Sequence, residues 1–159
     1  MKKILVLAFV FAVGCASVSL TEKSNIIDLP GQSKQQIYQK SIQWITYKFV
    51  SGKAVIDYKD ASTGRIIAKG SVYLATDMGI LESVYVVGTI DCVSGKSKIT
   101  IEPKGCQAGS MRGNLDCPCD GMHLMPDALK LIPVKIDEFM ADYKNYMSGG
   151  RAPAWDGKS

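Results

Sequence analysis

Residues 83–102, SVYVVGTIDCVSGKSKITIE, carry the pattern that decides the fold. Two β-prone runs flank Ser94-Gly95, a two-residue connection that is typical of a β-hairpin. In the second run Ile99 and Ile101 alternate with polar residues, as in a strand that buries one face. The stretch therefore predicts two antiparallel strands of a sheet that is dry on one side.

Three more strands are predicted before this hairpin. The runs 54–59 and 66–74 flank residues 60–64, whose polar and glycine content suits a hairpin connection. The short β-prone run 25–29 ends at Pro30-Gly31 and predicts the first strand. The chain is thus expected to supply about five strands.

Two segments have the periodicity of helices. Ser33 and Gln36 have the spacing of a capping box, and Tyr38, Ile42, Ile45 and Phe49 then recur at helical spacing. This first helix is expected to stop by Ser51-Gly52. Helical spacing returns at 126–147, where Pro133 suits the first residue of the main helix. The order β-α-β-β-β-β-α predicts an α+β domain, an antiparallel sheet with both helices on one face.

The length of 159 residues suits one domain. The expected organisation is a signal peptide (1–14), a tether (15–24), one α+β domain (25–148) that contains a cysteine-rich loop (103–125), and a disordered tail (149–159).

The charge balance argues against a nucleic-acid partner. Nineteen Lys and Arg face fifteen Asp and Glu, a formal charge of +4. Lys2 and Lys3 lie in the segment that is expected to be removed, so the mature balance is 17 − 15 = +2. Polyanion binding normally needs a much larger basic excess.

The N-terminus has the form of an export signal. Met1-Lys2-Lys3 precedes an apolar run, 4–13, that is about half as long as the roughly 20 residues of a transmembrane helix. The tetrapeptide 12–15, Ala-Val-Gly-Cys, resembles the bacterial lipobox, which implies cleavage before Cys15 and acylation of its thiol. Several acyl chains on one residue hold a protein on a membrane.

An ordinary secretory peptide, cut near Ala16 or Ser17 and losing Cys15, is the alternative. By resemblance to Gram-negative sorting patterns, the absence of Asp after the cysteine favours the outer membrane, facing the periplasm.

A family resemblance supports the same picture. The chain resembles domain of unknown function 4468, a family with a TBP-like fold found largely in lipoproteins of Bacteroidetes. The residues that carry the resemblance are 29–38 (LPGQSKQQIY), Trp44-Ile45, 54–60 (AVIDYKD) and 64–70 (GRIIAKG), within about 25–102. The resemblance implies the fold and brings no active site, and "TBP-like" describes a shape.

Four cysteines remain after Cys15: Cys92, Cys106, Cys117 and Cys119. An even number in an exported protein predicts two disulfides. Because Cys117-Pro118-Cys119 is too tight to close without strain, Cys92 is expected to bond one of that pair and Cys106 the other.

Two alternatives use the same cysteines. Several of them, together with His123, could hold tetrahedral zinc, although paired C-x-x-C knuckles are absent. A strained bridge at 117–119 could instead act in thiol exchange. The rival functional class is accordingly an envelope redox or zinc protein.

Other candidates for chemistry are weak. The lone His123 is more typical of a loop residue than of a general base. The carboxylates Asp57, Asp60, Asp91 and Glu102 are expected on the wet face of the sheet. The aromatic residues Trp44, Tyr47, Tyr73 and Tyr85 could line a groove, but core positions are favoured for them.

The sequence therefore favours a membrane-anchored lipoprotein with a small binding or assembly domain rather than an enzyme. No cofactor, no nucleic acid and no named small molecule is expected. The partners are the membrane, through its lipid, and another envelope protein, for which the uncovered sheet face is the expected contact surface.

Overall fold

The computed structural model describes residues 21–48, 55–75, 81–107 and 126–150, and it confirms the predicted α+β class. The elements are β1 (Lys23–Asp28), α1 (Lys34–Lys48), β2 (Val55–Asp60), β3 (Arg65–Ala75), β4 (Leu81–Val93), β5 (Lys96–Gln107) and α2 (Pro126–Met147). The predicted element order is therefore correct.

The described strands form one antiparallel sheet in the order β1-β5-β4-β3-β2. Strands β2 to β5 follow each other as neighbours, whereas β1 crosses to pair with β5, with Ser24 opposite Thr100. This arrangement leaves β1 and β2 as the two edges of the sheet.

Two glycines make the predicted hairpins possible. Gly95 ends the Ser94-Gly95 connection with φ +78°, and Gly64 ends the β2–β3 turn with φ +79°. Both angles lie in the left-handed region that side chains disfavour. Gly64 is also enclosed, because a Cβ there would lie 2.3 Å from the carbonyl oxygen of Cys92.

Helix α1 begins at the predicted capping box. The Ser33 backbone N–H donates to Gln36 Oε1 at 2.8 Å, and the Gln36 N–H donates to Ser33 Oγ at 3.3 Å. These two bonds satisfy amides that the first turn leaves open. The helix buries Ile37 and Trp44 against the sheet.

Helix α2 begins earlier than the predicted main helix. Pro133 was expected as its first residue, but it lies inside a continuous helix. Proline removes one helical hydrogen bond. The turns before it are retained because they bury Ala128 and Ile132.

Strand β5 also runs further than predicted, since the sequence predicts a cysteine-rich loop from residue 103 and the strand continues to Gln107. Pro103 is accommodated because the β1 ladder ends at Ile101 and because the β4–β5 pairing shifts register between Tyr85 and Val86. Residues 108–125 of that loop lie outside the described residues.

Both helices pack on one face of the sheet, as predicted. Ile66, Ile90 and Ile99 stand in one cross-strand row of that face and are almost fully buried. Above them the Trp44 ring contacts the edges of Phe139 and Tyr143, with centroids 4.8 Å apart in each case. Neither described helix is long and apolar enough to cross a membrane.

Candidate binding surface

The face of the sheet opposite the helices is the predicted contact surface, and we call it the open face. Strand alternation and pairing place one set of side chains on it. The set comprises Ser24, Ile26, Asp28, Tyr58, Arg65, Ile67, Lys69, Ser71, Tyr73, Tyr85, Val87, Thr89, Asp91, Lys98, Thr100 and Glu102. All of these side chains are exposed or half-buried.

Charges on the open face occur largely as pairs. Arg65 Nε donates to Asp91 Oδ1 across β3 and β4 at 2.6 Å. Lys69 Nζ lies 2.9 Å from Asp57 Oδ2, and this hydrogen bond raises the pKa of Lys69. Because each pair is exposed, its contribution to stability is small, but pairing cancels much of the local field.

The same compensation continues toward β1. Lys96 Nζ lies 3.6 Å from Asp28 Oδ1, and the Lys104 ammonium contacts the Glu102 carboxylate. The open face therefore mixes both signs of charge and has no large basic excess. A surface of this kind is poorly suited to the phosphates of a nucleic acid.

Aromatic and aliphatic side chains occupy the space between these pairs. Tyr58 and Tyr73 keep 46% and 40% of their surface exposed, and Ile26 keeps 61%. Tyr85 and Val87 are half-buried beside them on β4. Exposed tyrosines among paired charges resemble the composition of protein–protein interfaces.

The four aromatic candidates divide between core and surface. Trp44 is in the core, as favoured, and its Nε1–H donates to Asp142 Oδ2 at 3.0 Å. The core expectation is wrong for Tyr47 and Tyr73, which are exposed, and for Tyr85, which is half-buried on the open face. Tyr47 follows the buried stripe of α1, while neither of the two described helices lies over the side of β3 that carries Tyr73.

The four carboxylates are exposed or half-buried, as predicted. Three form the open-face ion pairs, and Asp60 organises the β2–β3 turn. Asp60 Oδ1 accepts hydrogen bonds from the N–H and the hydroxyl of Ser62, at 2.8 and 2.7 Å. These bonds, with one from Thr63, lower the Asp60 pKa to about 2.

Cys92 is a free thiol in the core, in contrast to the bridge expected for it. It lies beneath both helices, with its sulfur 3.7 Å from Ser41 Oγ. Cys106 pairs with Val84 through the backbone. Val84 and Cys92 are eight positions apart along β4, a span of about 26 Å, so the two cysteines lie toward opposite ends of the hairpin.

The other cysteine predictions are not tested. Cys15, Cys117, Cys119 and His123 lie outside the described residues, and the bridge of Cys106 to one of the pair stays a prediction. Within the described ranges, no three His, Cys, Asp or Glu side chains come together as a metal site.

Cys92 belongs to a buried polar cluster with Ser41, Ser97 and Tyr143. The Tyr143 hydroxyl lies 2.8 Å from Ser41 Oγ and 2.6 Å from Ser97 Oγ. Burial raises the pKa of the Tyr143 hydroxyl and of the Cys92 thiol. Both groups therefore stay neutral near pH 7, and the cluster acts as a structural link rather than as a nucleophile.

An enclosed apolar cavity lies between the sheet and the helices, and its volume is about 20 Å³. Gly70 and Gly88 form its floor where side chains are missing from the sheet, and Trp44 and Phe139 form its roof. This space holds about one water molecule. This cavity is too small for a ligand.

Comparisons with known proteins agree with this architecture. Residues 24–86 match the family model described as "Domain of unknown function (DUF4468) with TBP-like fold". The chain resembles the DUF4468 family. No curated protein sequence matches it.

Two solved structures have the same fold. One is a DUF4468 family protein from Bacteroides ovatus, with a TM-score of 0.61 and 16% identity, covering 89% of this chain and 94% of that chain. The other is a TBP-like protein from Parabacteroides distasonis, with a TM-score of 0.60 and 13% identity, covering 82% and 94%. At these identities the likeness establishes the fold alone.

The DUF4468 match and the open face overlap in part. The match spans β1 to the first half of β4 and stops before β5 and α2. Two exposed residues in the matched segment, Ile26 and Tyr58, were missed as candidates from the sequence. Strict strand alternation predicts that Ile26 lies on the open face. The same alternation fails for Tyr58, because the register shifts between Ile56 and Tyr58.

Proposed function

We propose that this chain is an envelope lipoprotein whose domain binds a protein partner through the open face and does no catalysis. The observation that carries the proposal is the composition of that face, where exposed tyrosines lie among charge pairs of both signs. An interface for a folded protein needs this combination of apolar anchors and balanced charge.

The anchor in this proposal is the thiol of Cys15. The tetrapeptide 12–15 supplies the small residues and the cysteine of a lipobox, and Ala16 fits sorting to the outer membrane. A lipid there confines the domain to a thin layer, which raises its effective concentration for a membrane-bound partner. At that effective concentration, even a modest affinity of the open face is enough for the partner to stay bound.

Site-specific photo-crosslinking in the producing cells tests the binding surface. A photoreactive residue is placed at Tyr58 or at Tyr73 and, as a matched control, at Gln43 on the exposed side of α1. We expect both open-face positions to capture the same protein and the control to capture none of it. Equal capture from all three positions would refute a specific open-face interface.

Metabolic labelling tests the anchor. Cells fed a labelled fatty acid should label the wild-type chain, and Cys15→Ala should abolish the label and leave the precursor uncut. A matched Ser17→Ala variant should mature normally. Normal cleavage of the Cys15→Ala precursor would indicate an ordinary secretory peptide.

A further inference from the structure

The two edges of the described sheet differ in how they discourage further strand pairing. On β2 the register shifts between Ile56 and Tyr58, and such a bulge is a common protection of an edge. On β1 the pairing with β5 runs without a shift from Lys23 to Asp28. The middle of β1 presents Ile26, the most exposed large hydrophobic residue described. This edge suits the addition of a strand.

The backbone of β1 has donors and acceptors directed outward. The Leu29 N–H donates to the Gly95 carbonyl at 2.7 Å, which directs the polar groups of Leu29 toward β5. Because the direction alternates along a strand, Ile27 and Asn25 also face β5. The N–H and C=O groups of Ser24, Ile26 and Asp28 therefore point away from β5, to the side of β1 on which no described strand lies.

We propose that two copies of this chain pair through β1, antiparallel, around a two-fold axis at Ile26. Ile26 then lies opposite Ile26 of the second copy, and Ser24 lies opposite Asp28 of the second copy. Each opposed pair exchanges both of its outward N–H···O=C bonds. Two five-stranded sheets become one continuous sheet, with an isologous interface.

The side chains of the open face fit this register. The two Ile26 side chains meet across the axis and cover each other, which removes the exposed hydrophobic residue of the edge. Ser24 Oγ already lies 2.9 Å from Thr100 Oγ1. The Asp28 carboxylate of the second copy arrives beside this pair as an acceptor, and Lys96 lies near Asp28 within each copy.

Helix α2 is joined to the edge within each copy. A groove runs between β1 and α2, and its helix side includes Asp137, Ala141 and Lys144. Asp137 Oδ2 lies 2.6 Å from Lys23 Nζ of β1, so its charge is already paired within the copy. The register of the proposed pair therefore rests on the backbone and side chains of β1.

The match of Ile26 with itself and of Ser24 with Asp28 favours a second copy over an unrelated extended segment as the occupant of the edge. The interface lies along the β1 edge of the open face, away from Tyr58 and Tyr73 on β2 and β3, and it does not require the lipid. It is therefore tested with the full chain, produced with two different C-terminal tags in one cell.

A photoreactive residue at Ile26 is the first experiment, with Tyr58 on the opposite edge as the matched control. We expect a covalent product that carries both tags from position 26 and none from position 58. The absence of a product with both tags, or equal homodimer from both positions, would overturn the proposal.

Two variants add a measurement of affinity by sedimentation of the detergent-purified chain. Ile26→Pro removes only an outward N–H, and both central hydrogen bonds are lost across the axis, so we expect dimerisation to weaken roughly ten- to hundredfold. Ile26→Lys sets two ammonium groups against each other and should weaken it similarly. Tyr58→Lys should leave it unchanged. Wild-type affinity in both folded Ile26 variants would overturn the proposal.

Discussion

The hydroxyl of Tyr143 in α2 lies 2.6 Å from the hydroxyl of Ser97 in β5, inside the core. Ser41 of α1 lies 2.8 Å from the same phenolic oxygen and donates onward to the Ile37 carbonyl. Three elements that are distant in the sequence thus meet at one oxygen atom. Removing that atom leaves buried hydroxyls with fewer partners.

We expect Tyr143→Phe to lower the free energy of unfolding by about 1–3 kcal/mol, the usual cost of leaving buried polar groups unsatisfied. Urea denaturation of the full chain measures this loss. Tyr146→Phe in the same helix is the control, because its hydroxyl only reaches Gln43 Oε1 at 3.4 Å. The control should lose less than about 0.5 kcal/mol. Equal losses of unfolding free energy in both variants would show that the hydrogen bonds of the buried polar cluster add no stability beyond that of a surface hydroxyl.

Gly64 should tolerate no side chain. Gly64→Ala combines a left-handed φ with a clash against the Cys92 carbonyl oxygen, so we expect a loss of about 3 kcal/mol or more in unfolding free energy. Gly95→Ala has nearly the same φ and nothing within 4 Å of the added Cβ. It should lose only about 1 kcal/mol. Chemical denaturation of the two variants separates the cost of the left-handed φ from the cost of the steric clash with Cys92. Equal losses of unfolding free energy would contradict the close approach at Gly64.

Gly88 should accept a methyl group. It borders the 20 Å³ cavity, and the nearest atom to an added Cβ is the Ala68 carbonyl oxygen at 3.8 Å, an ordinary contact distance. Gly88→Ala also reduces the freedom of the unfolded chain. We expect a gain of about 0.4–1 kcal/mol and a raised melting temperature. A lower melting temperature would mean that the added methyl group clashes with its neighbours in the cavity.

Asp60 should make the fold sensitive to acid. Its pKa falls from an ordinary value of 3.8 to about 2 in the folded chain, because Ser62 and Thr63 hydrogen-bond the ionised carboxylate. The resulting stability is complete above pH 3.8 and is lost as the pH falls toward 2. Asp60→Asn keeps an acceptor and does not titrate. The stability advantage of wild type over this variant should therefore shrink between pH 4 and pH 2, and parallel pH profiles would contradict the prediction.

Local patterns in the sequence were enough to predict the element order. Ser33 and Gln36 indicate the start of α1 because capping depends on neighbours only, and Gly95 marks a hairpin for the same reason. The extents of α2 and β5 were missed at Pro133 and Pro103. Each proline disfavours the helix or strand locally because it lacks a backbone N–H. Packing in α2 and strand pairing in β5 offset that cost, and a local reading of the sequence does not include these contacts.

The sequence predicts where the candidate surface lies, but it does not predict which side chains are exposed on it. Helices on one face imply an open face opposite, yet the exposure of Tyr47 and Tyr73 depends on how far the helices extend over the sheet. Cys92 shows the same limit. Cysteine counting favours a bridge, whereas the thiol lies under α1 and α2, a position set by tertiary packing.

The crossing of β1 to β5 also fixes an order of assembly. Strands β2 to β5 each pair with a strand that is adjacent along the chain. Ser24 of β1, in contrast, pairs with Thr100, which follows it by 76 positions. We therefore expect β1, the first of the described strands to be synthesised, to be the last to join the sheet, because closing so long a loop carries a large entropic cost.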